Sequence, residues 1–287
     1  MTEHVPVLLH EVITILDPKP GEVFIDGTVG GGGHAGVILE KIGVSGTLIL
    51  ADWDIQAIES AKEKFAHAKN IMYVHDNYAN LAQHDLPKAD GLLLDLGFSS
   101  TQIEARGRGF SFLKEEPLIM TYNDQSETLQ EFLLRTNVKE LTKIISELGE
   151  ERYATQIAKA IILQRNHLKT SRQLGELIRS AVPKSYERGR IHPATRTFQA
   201  LRIYLNKELD NVDRMLGSFL ELMKSGGRVA IISFHSLEDR LVKSHFNRLS
   251  KEYKVRILTK KPIVAGPEEV RANPRSRSAK LRAAYVT

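Results

Sequence analysis

An acid, a run of glycines and a second acid are the first features of this sequence that could do chemistry. Asp26-Gly27-Thr28-Val29-Gly30-Gly31-Gly32-Gly33-His34 places the glycines between a carboxylate and an imidazole, and Asp52 follows. So many glycines together imply a ligand pressed against the backbone or an unusually tight turn. Gly31-x-Gly33-x-x-Gly36 fits the dinucleotide fingerprint, with Asp52 where a ribose-binding acid belongs. That spacing admits two cofactors. A nicotinamide dinucleotide would set its pyrophosphate at the start of the following helix. S-adenosylmethionine has no phosphate and brings a sulfonium and an ammonium. Asp26 favours the second, because a carboxylate beside the loop repels pyrophosphate and attracts an ammonium. The plainer use of Asp26 is a turn cap bonded to the loop backbone. For Asp52 a ribose contact outweighs a helix cap, because Asp54 already suits the cap.

Two more polar clusters stand at the ends of apolar runs. In Leu94-Asp95-Leu96-Gly97-Phe98-Ser99-Ser100, Asp95 could accept the N–H of an exocyclic amine whose lone pair is delocalised into a ring. It would orient that amine towards a methyl donor and take up positive charge. Binding the donor's amino-acid end, or capping the turn, are its other uses. In Ser233-Phe234-His235-Ser236-Leu237-Glu238-Asp239-Arg240, His235 could hold a base or relay a proton, or serve as a hydrogen-bonded structural residue. His34 and His235 lack the partners and spacing of a metal site, so no metal is expected. The absence of cysteine excludes disulfides, zinc–thiolate sites, iron–sulfur clusters and thiol nucleophiles.

These groups need elements to position them. Val23–Ile25, Thr47–Ala51, Ile71–Val74 and Gly91–Leu94 read as strands, alternating with helices through Ile38, Leu39 and Ile42 and through Ala57, Ile58, Ala61 and Phe65. Apolar strands alternating with amphipathic helices mean a parallel sheet covered on both faces. The rhythm breaks from about Ile103 to Asn206, where Tyr153, Ile157 and Ile161 and a capping box at Thr170–Gln173 predict helices and no strand. It resumes with a helix over Leu209–Met223, a turn at Gly226-Gly227, a strand over Arg228–Phe234 and a helix from Leu237. Val255–Leu258 and Leu281–Val286 would complete the sheet as an antiparallel edge. The expected fold is α/β: a Rossmann-like sheet of the class I S-adenosylmethionine-dependent methyltransferase type, formed by residues 1–103 and 207–287. Residues 104–206 would be an inserted all-helical domain for recognising RNA or another substrate.

The chain has 287 residues and a formal net charge of +5. Its distribution says more than its sum. Residues 165–196 carry eight Lys/Arg against two Glu, and residues 254–282 carry nine against two. Two basic segments on an otherwise acidic body form an electrostatic footprint for a polyanion. No run approaches the length of a membrane span, and the first residues lack a signal peptide's basic and apolar regions. A cytoplasmic protein without membrane partners is expected.

Taken together, these residues resemble the RsmH/MraW family of small-subunit ribosomal RNA N4-cytosine methyltransferases, almost end to end. The likeness runs through His4-Val5-Pro6-Val7-Leu8-Leu9-His10-Glu11, the glycine loop, Asp95–Gln102 and Arg108-Gly109-Phe110-Ser111-Phe112. It continues with Gly149-Glu150-Glu151-Arg152, His192–Arg202, Phe234–Arg240 and Asn273–Arg282. The resemblance implies methyl transfer from S-adenosylmethionine to N4 of a cytidine in 16S ribosomal RNA near the decoding centre, with the small ribosomal subunit as partner. It implies donor contacts at Gly32, Gly33, His34, Asp52, Tyr78, Asp95 and Gln102, with Tyr78 lying on the adenine. One departure stands out. Where the family usually reads Pro-Leu-Asp-Met-Arg-Met-Asp, this chain has Pro117-Leu118-Ile119-Met120-Thr121-Tyr122-Asn123. The change bears on substrate choice and turnover more than on donor binding. Three other functions fit some of these features: an RNA-binding protein that holds the donor without turnover, a methyltransferase for another nucleic acid, and a nicotinamide oxidoreductase.

Overall fold

The computed structural model describes residues 6–96, 107–122, 126–188 and 192–287. In chain order α1 is Leu9–Leu16, β1 Val23–Asp26, α2 Gly33–Ile42, β2 Thr47–Asp52, α3 Ile55–Lys64, β3 Ile71–His75 and β4 Ala89–Asp95. Then come α4 Leu129–Arg135, α5 Val138–Gly149, α6 Ala154–Gln164, α7 Ser171–Ser180, α8 Ala194–Leu205 and α9 Glu208–Ser218. The last elements are β5 Met223–Ser233, α10 Ser236–Lys251, β6 Val255–Ile257, α11 Pro267–Ala272 and β7 Lys280–Val286. Residues 1–99 with 209–287 form one compact unit and residues 100–208 a second.

The first unit is built on a seven-stranded sheet ordered β3-β2-β1-β4-β5-β7-β6. β1 to β5 run parallel, and β7 pairs antiparallel with both β5 and β6. The pleat sends alternate residues to opposite faces. Phe24, Leu48, Leu50, Leu93, Ala230 and Ile232 pack with Val12, Ile38 and Ile58 from α1, α2 and α3. Ile25, Ile49, Leu92, Leu94, Val229 and Ile231 pack with Met215 of α9 and Phe246 of α10 on the other face. A sheet buried on both faces explains why its strands read as unbroken apolar runs. The chain works outward from β1 through β2 to β3, then returns to β4 beside β1. Strand order therefore reverses between β1 and β4, the kind of switch point at which open α/β sheets bind ligands beyond the carboxyl ends of their strands. Asp26 and Asp95 are the last residues of those two strands.

Three details differ from the sequence expectation. The glycine pair Gly226-Gly227 lies inside β5, not before it. Pairing jumps from Ala89↔Met223 to Gly91↔Arg228, so the intervening residues bulge, with Gly226 at φ 89°. Phe234 falls just outside the strand. α1, although its Leu9, Val12, Ile13 and Leu16 recur at helical spacing, and the six-residue α11 were not among the expected elements.

The second unit is helical, and among its described residues there is no strand beyond an isolated bridge between Pro117 and Thr170. Phe132, Ile145, Ile157, Ile161, Leu174 and Leu201 meet in its core. The capping box at Thr170 and Gln173 forms as expected, and Thr128 with Glu131 makes another. No helix among the described residues is long and apolar enough to cross a membrane.

Gly91 of β4 pairs with Phe24 of β1, and a Cβ there would collide with the fully buried Phe24 ring. Gly91→Ala is expected to lower stability by about 1–3 kcal/mol through overpacking. Urea-denaturation midpoints measure it, and an unchanged midpoint would mean the ring can yield.

Candidate functional site

The glycine loop is a closed hydrogen-bonded turn. The amide of Gly27 donates to the Leu93 carbonyl and Val29 to Ala51, each at 3.0 Å, while Gly32 donates to Val29 at 2.7 Å. Thr28 N–H donates to Asp26 Oδ1 at 3.1 Å, and Gly30 N–H to Asp52 Oδ2 at 3.1 Å. Gly30 and Gly32 take φ of 47° and 67°, the left-handed region glycine enters without a Cβ penalty. A Cβ on Gly33 would sit 2.9 Å from the Pro6 ring, so the segment before α1 lies directly on the start of α2. Lys64 closes the outer side, donating to the carbonyls of Gly31 and Gly32 at 2.8 and 3.1 Å.

Carboxylates gather at this edge. Asp26 is 2% exposed and its charged neighbours are Asp95 and Asp52. Burial, reinforced by those two carboxylates against the single Thr28 amide, pushes its pKa up to about 7. Asp52 is also buried; besides Gly30 it accepts the Asp54 N–H on Oδ1 at 2.9 Å. Asp54 caps α3 through Gln56 N–H at 3.0 Å, as its position suggested. Asp95 is half-buried, and its backbone amide donates to Thr28 Oγ1 at 2.7 Å. That bond ties the end of β4 to the turn after β1.

The profile of the MraW methylase family matches residues 1–287. The chain belongs to this family. Ribosomal RNA small subunit methyltransferase H of Syntrophotalea carbinolica is 44% identical, the match covering 98% of this chain and 97% of that protein. The protein of the same name from Halothermothrix orenii is 42% identical, over 99% of this chain and 98% of its own. A solved S-adenosylmethionine-dependent O-methyltransferase from Thermotoga maritima overlays with a TM-score of 0.45 at 11% identity, over 100% of this chain and 68% of that one.

The remaining residues singled out in this family member divide by what they touch. Tyr78 opens a short 3₁₀ helix, Tyr78–Gln83, capped by Asn77, with its Cβ 3.4 Å from where a Cβ on Gly27 would lie. Asp26, Gly32, Gly33, Asp52, Tyr78 and Asp95 thus share the carboxyl edge of β1, β2 and β4 and the turns that follow those strands and β3. His34 faces inward: it is 6% exposed, and its Nε2–H donates to the Val7 carbonyl at 3.0 Å. Burial holds it neutral, with a pKa lowered to about 4. Gln102 lies outside the described residues, as do Gly97–Ser100.

His235 caps α10. Its Nδ1 accepts the Glu238 N–H at 3.3 Å, and Glu238 Oε2 accepts the Phe234 N–H at 2.9 Å, a reciprocal pair like a capping box. Its Nε2 is buried and lies 3.2 Å from Glu238 Oε1 without hydrogen-bond alignment.

In the second unit, residues 117–122 are held by the core. Leu118 and Met120 are buried, Thr121 is fully buried, and Arg108 donates to the Thr121 carbonyl at 3.0 Å. Tyr122 stacks on Phe110 with ring centres 5.1 Å apart. Asn123 lies outside the described residues. Sequence reasoning missed Thr28 and Lys64, which act through contacts no spacing reveals.

Two buried groups give stability opposite pH dependences. Neutral His34 has a folded pKa below its unfolded 6.5, so its contribution is complete above pH 6.5 and is lost as pH falls towards 4. Asp26 has a folded pKa above its unfolded 3.8, so its contribution is complete below about 4 and is lost as pH rises to 7. In His34→Gln the amide can still reach Val7 without titrating. The stability advantage of wild type over this variant should shrink by about 3 kcal/mol between pH 7 and pH 4. Urea midpoints at both pH values measure it; a constant gap would mean that His34 titrates normally.

Proposed function

We propose that this protein transfers a methyl group from S-adenosylmethionine to N4 of a cytidine in 16S ribosomal RNA near the decoding centre, with the small ribosomal subunit as its partner. The relatives named as ribosomal RNA small subunit methyltransferases support the reaction class. The observation that carries the cofactor is buried Asp26 with carboxylates as its charged neighbours, a setting that favours a cation and penalises a phosphate. This disfavours a nicotinamide oxidoreductase.

When bound, S-adenosylmethionine supplies a methyl group activated on a positively charged sulfur. Asp26 would face the donor's positive charge, Asp52 its ribose hydroxyls and Tyr78 its adenine ring. Asp95, its backbone fixed by Thr28, would accept an N–H of the cytidine amine and orient it for attack. His235 would act indirectly, holding the start of α10. The target base must leave its stack to reach the donor, at a cost of a few kcal/mol.

Asp95→Asn should lower kcat by about 100-fold or more with native folding; a change confined to the donor KM would assign Asp95 to donor binding alone. Donor affinity should rise about tenfold per pH unit up to pH 7 and level off above it, because the cation binds ionised Asp26. Calorimetry across pH 5.5–8 (roughly two units around that pKa) measures this, and Asp26→Asn should flatten the profile. Mass spectrometry of 16S RNA nucleosides with and without the protein tests the reaction itself. Unchanged N4-methylcytidine would overturn it in favour of donor binding without turnover, or of another nucleic acid as target.

A further inference from the structure

At the opposite end of the same sheet a groove of about 360 Å³ runs between α10 and the β6–β7 edge. Lys243, Asn247, Lys260 and Arg282 line it, over the buried ring of Phe246. Lys243 and Asn247 lie one helical turn apart, on one face of α10. Lys260 follows β6, and Arg282 comes from β7. No acidic residue lines the groove. Arg282 is 6% exposed and grips Asp239 with both arms, at 2.6 and 3.3 Å. Asp239 also has Lys280 at 3.5 Å, so one carboxylate serves two cations and positive charge remains. Among the described residues neither Lys243 nor Lys260 has a carboxylate partner.

Cations drawn together without acids repel one another, and an anion seated between them removes that penalty. The groove is separate from the glycine loop. In the sheet order β6 lies four strand spacings from β1, about 19 Å. Both lysines are exposed, so a polymer can run past them. Lysine ammonium groups and the Asn247 amide suit phosphate oxygens.

We propose that this groove seats one backbone phosphate of the RNA substrate, fixing the register of the RNA at a distance from the transfer site. The inference rests on the RNA-methylating function above, and its test separates the two. The Lys243→Glu/Lys260→Glu double variant and wild type are compared for binding of an in-vitro-transcribed 16S RNA, with salt raised from about 50 to 200 mM. The double variant should bind about tenfold more weakly, and its slope of log affinity against log salt should fall by about one. Its affinity for S-adenosylmethionine should be unchanged, and Lys243→Arg/Lys260→Arg should retain RNA binding. Unchanged RNA affinity and salt slope in the double variant would overturn the proposal while leaving methyl transfer standing. Weakened RNA binding in the variant, with no methyl transfer by wild type, would support the phosphate site and overturn the function instead. Millimolar inorganic phosphate added to wild type and to the double variant is the last arm. Loss of phosphate binding by calorimetry in the double variant, with RNA affinity and salt slope unchanged, would make the ligand a free phosphate compound and overturn the RNA assignment.

Discussion

The constraint on which the rest depends is a carboxyl group, Asp26, set at the end of the first strand with almost no access to water. Its charged neighbours are two more carboxylates, and the Thr28 amide donates a hydrogen bond to it. A protein tolerates such a group in one of two ways: it takes up a proton, or it receives a cation. The fold holds both options open near neutral pH. The flanking strands are fully buried and their register is fixed, so Asp26 cannot move out to solvent. What accommodates it must come to it. This is a physical reason for a positively charged ligand, and it needs nothing from the glycine spacing, which fits a dinucleotide equally well.

The loop around Asp26 is held by parts of the chain far away in sequence. Pro6 lies on Gly33, the Val7 carbonyl takes the His34 proton, and Leu8 N–H donates to Glu269 at 2.8 Å. α11 therefore reaches the start of α2 through three residues before α1. Leu8 takes a left-handed φ of 53°, a cost for a branched side chain that the surrounding contacts offset. The neutrality of His34 belongs to this arrangement, because a charged ring would be left in an apolar, desolvated position. Its contribution is to brace the loop from behind, which leaves the front of the loop to Asp26, Tyr78 and Asp95.

How much of this was legible follows from how local each signal is. The strands were legible because a sheet covered on both faces leaves unbroken apolar runs, and the helices of the insert because Ile157, Ile161 and the Thr170 cap repeat at helical intervals. The Gly226-Gly227 pair misled because glycine permits both turns and bulges, and only pairing with Ala89 and Gly91 decides between them. α1 and α11 differ from these: α1 carries a helical pattern in Leu9, Val12, Ile13 and Leu16 but stands before the strand–helix alternation begins, and α11 has six residues, too few to show a period. At the site, the types and order of Asp26, Asp52, Tyr78 and Asp95 could be read, but their partners could not. Asp52 illustrates the gap. Its spacing suggested a ribose, whereas the structure adds that it already holds the amides of Gly30 and Asp54, so any hydroxyl must share its oxygens.

His235 carries the argument one step further. A histidine followed by serine, glutamate, aspartate and arginine at the end of a strand has the composition of a reacting centre. It also has the composition of a helix start, because a cap needs an acceptor and a first turn prefers acids. Composition cannot separate these uses; the direction of the hydrogen bonds can. Since Nδ1 takes the Glu238 amide and Glu238 returns a bond to Phe234, the imidazole is committed to the backbone. In the proposed reaction, orienting the amine would fall to the neighbouring strand end, where Asp95 has its amide anchored on Thr28 and its side chain half-buried. Thr28 also belongs to the turn that holds Asp26. One hydroxyl thus couples the group that would face the donor to the group that would face the acceptor, so a shift of either strand end moves both.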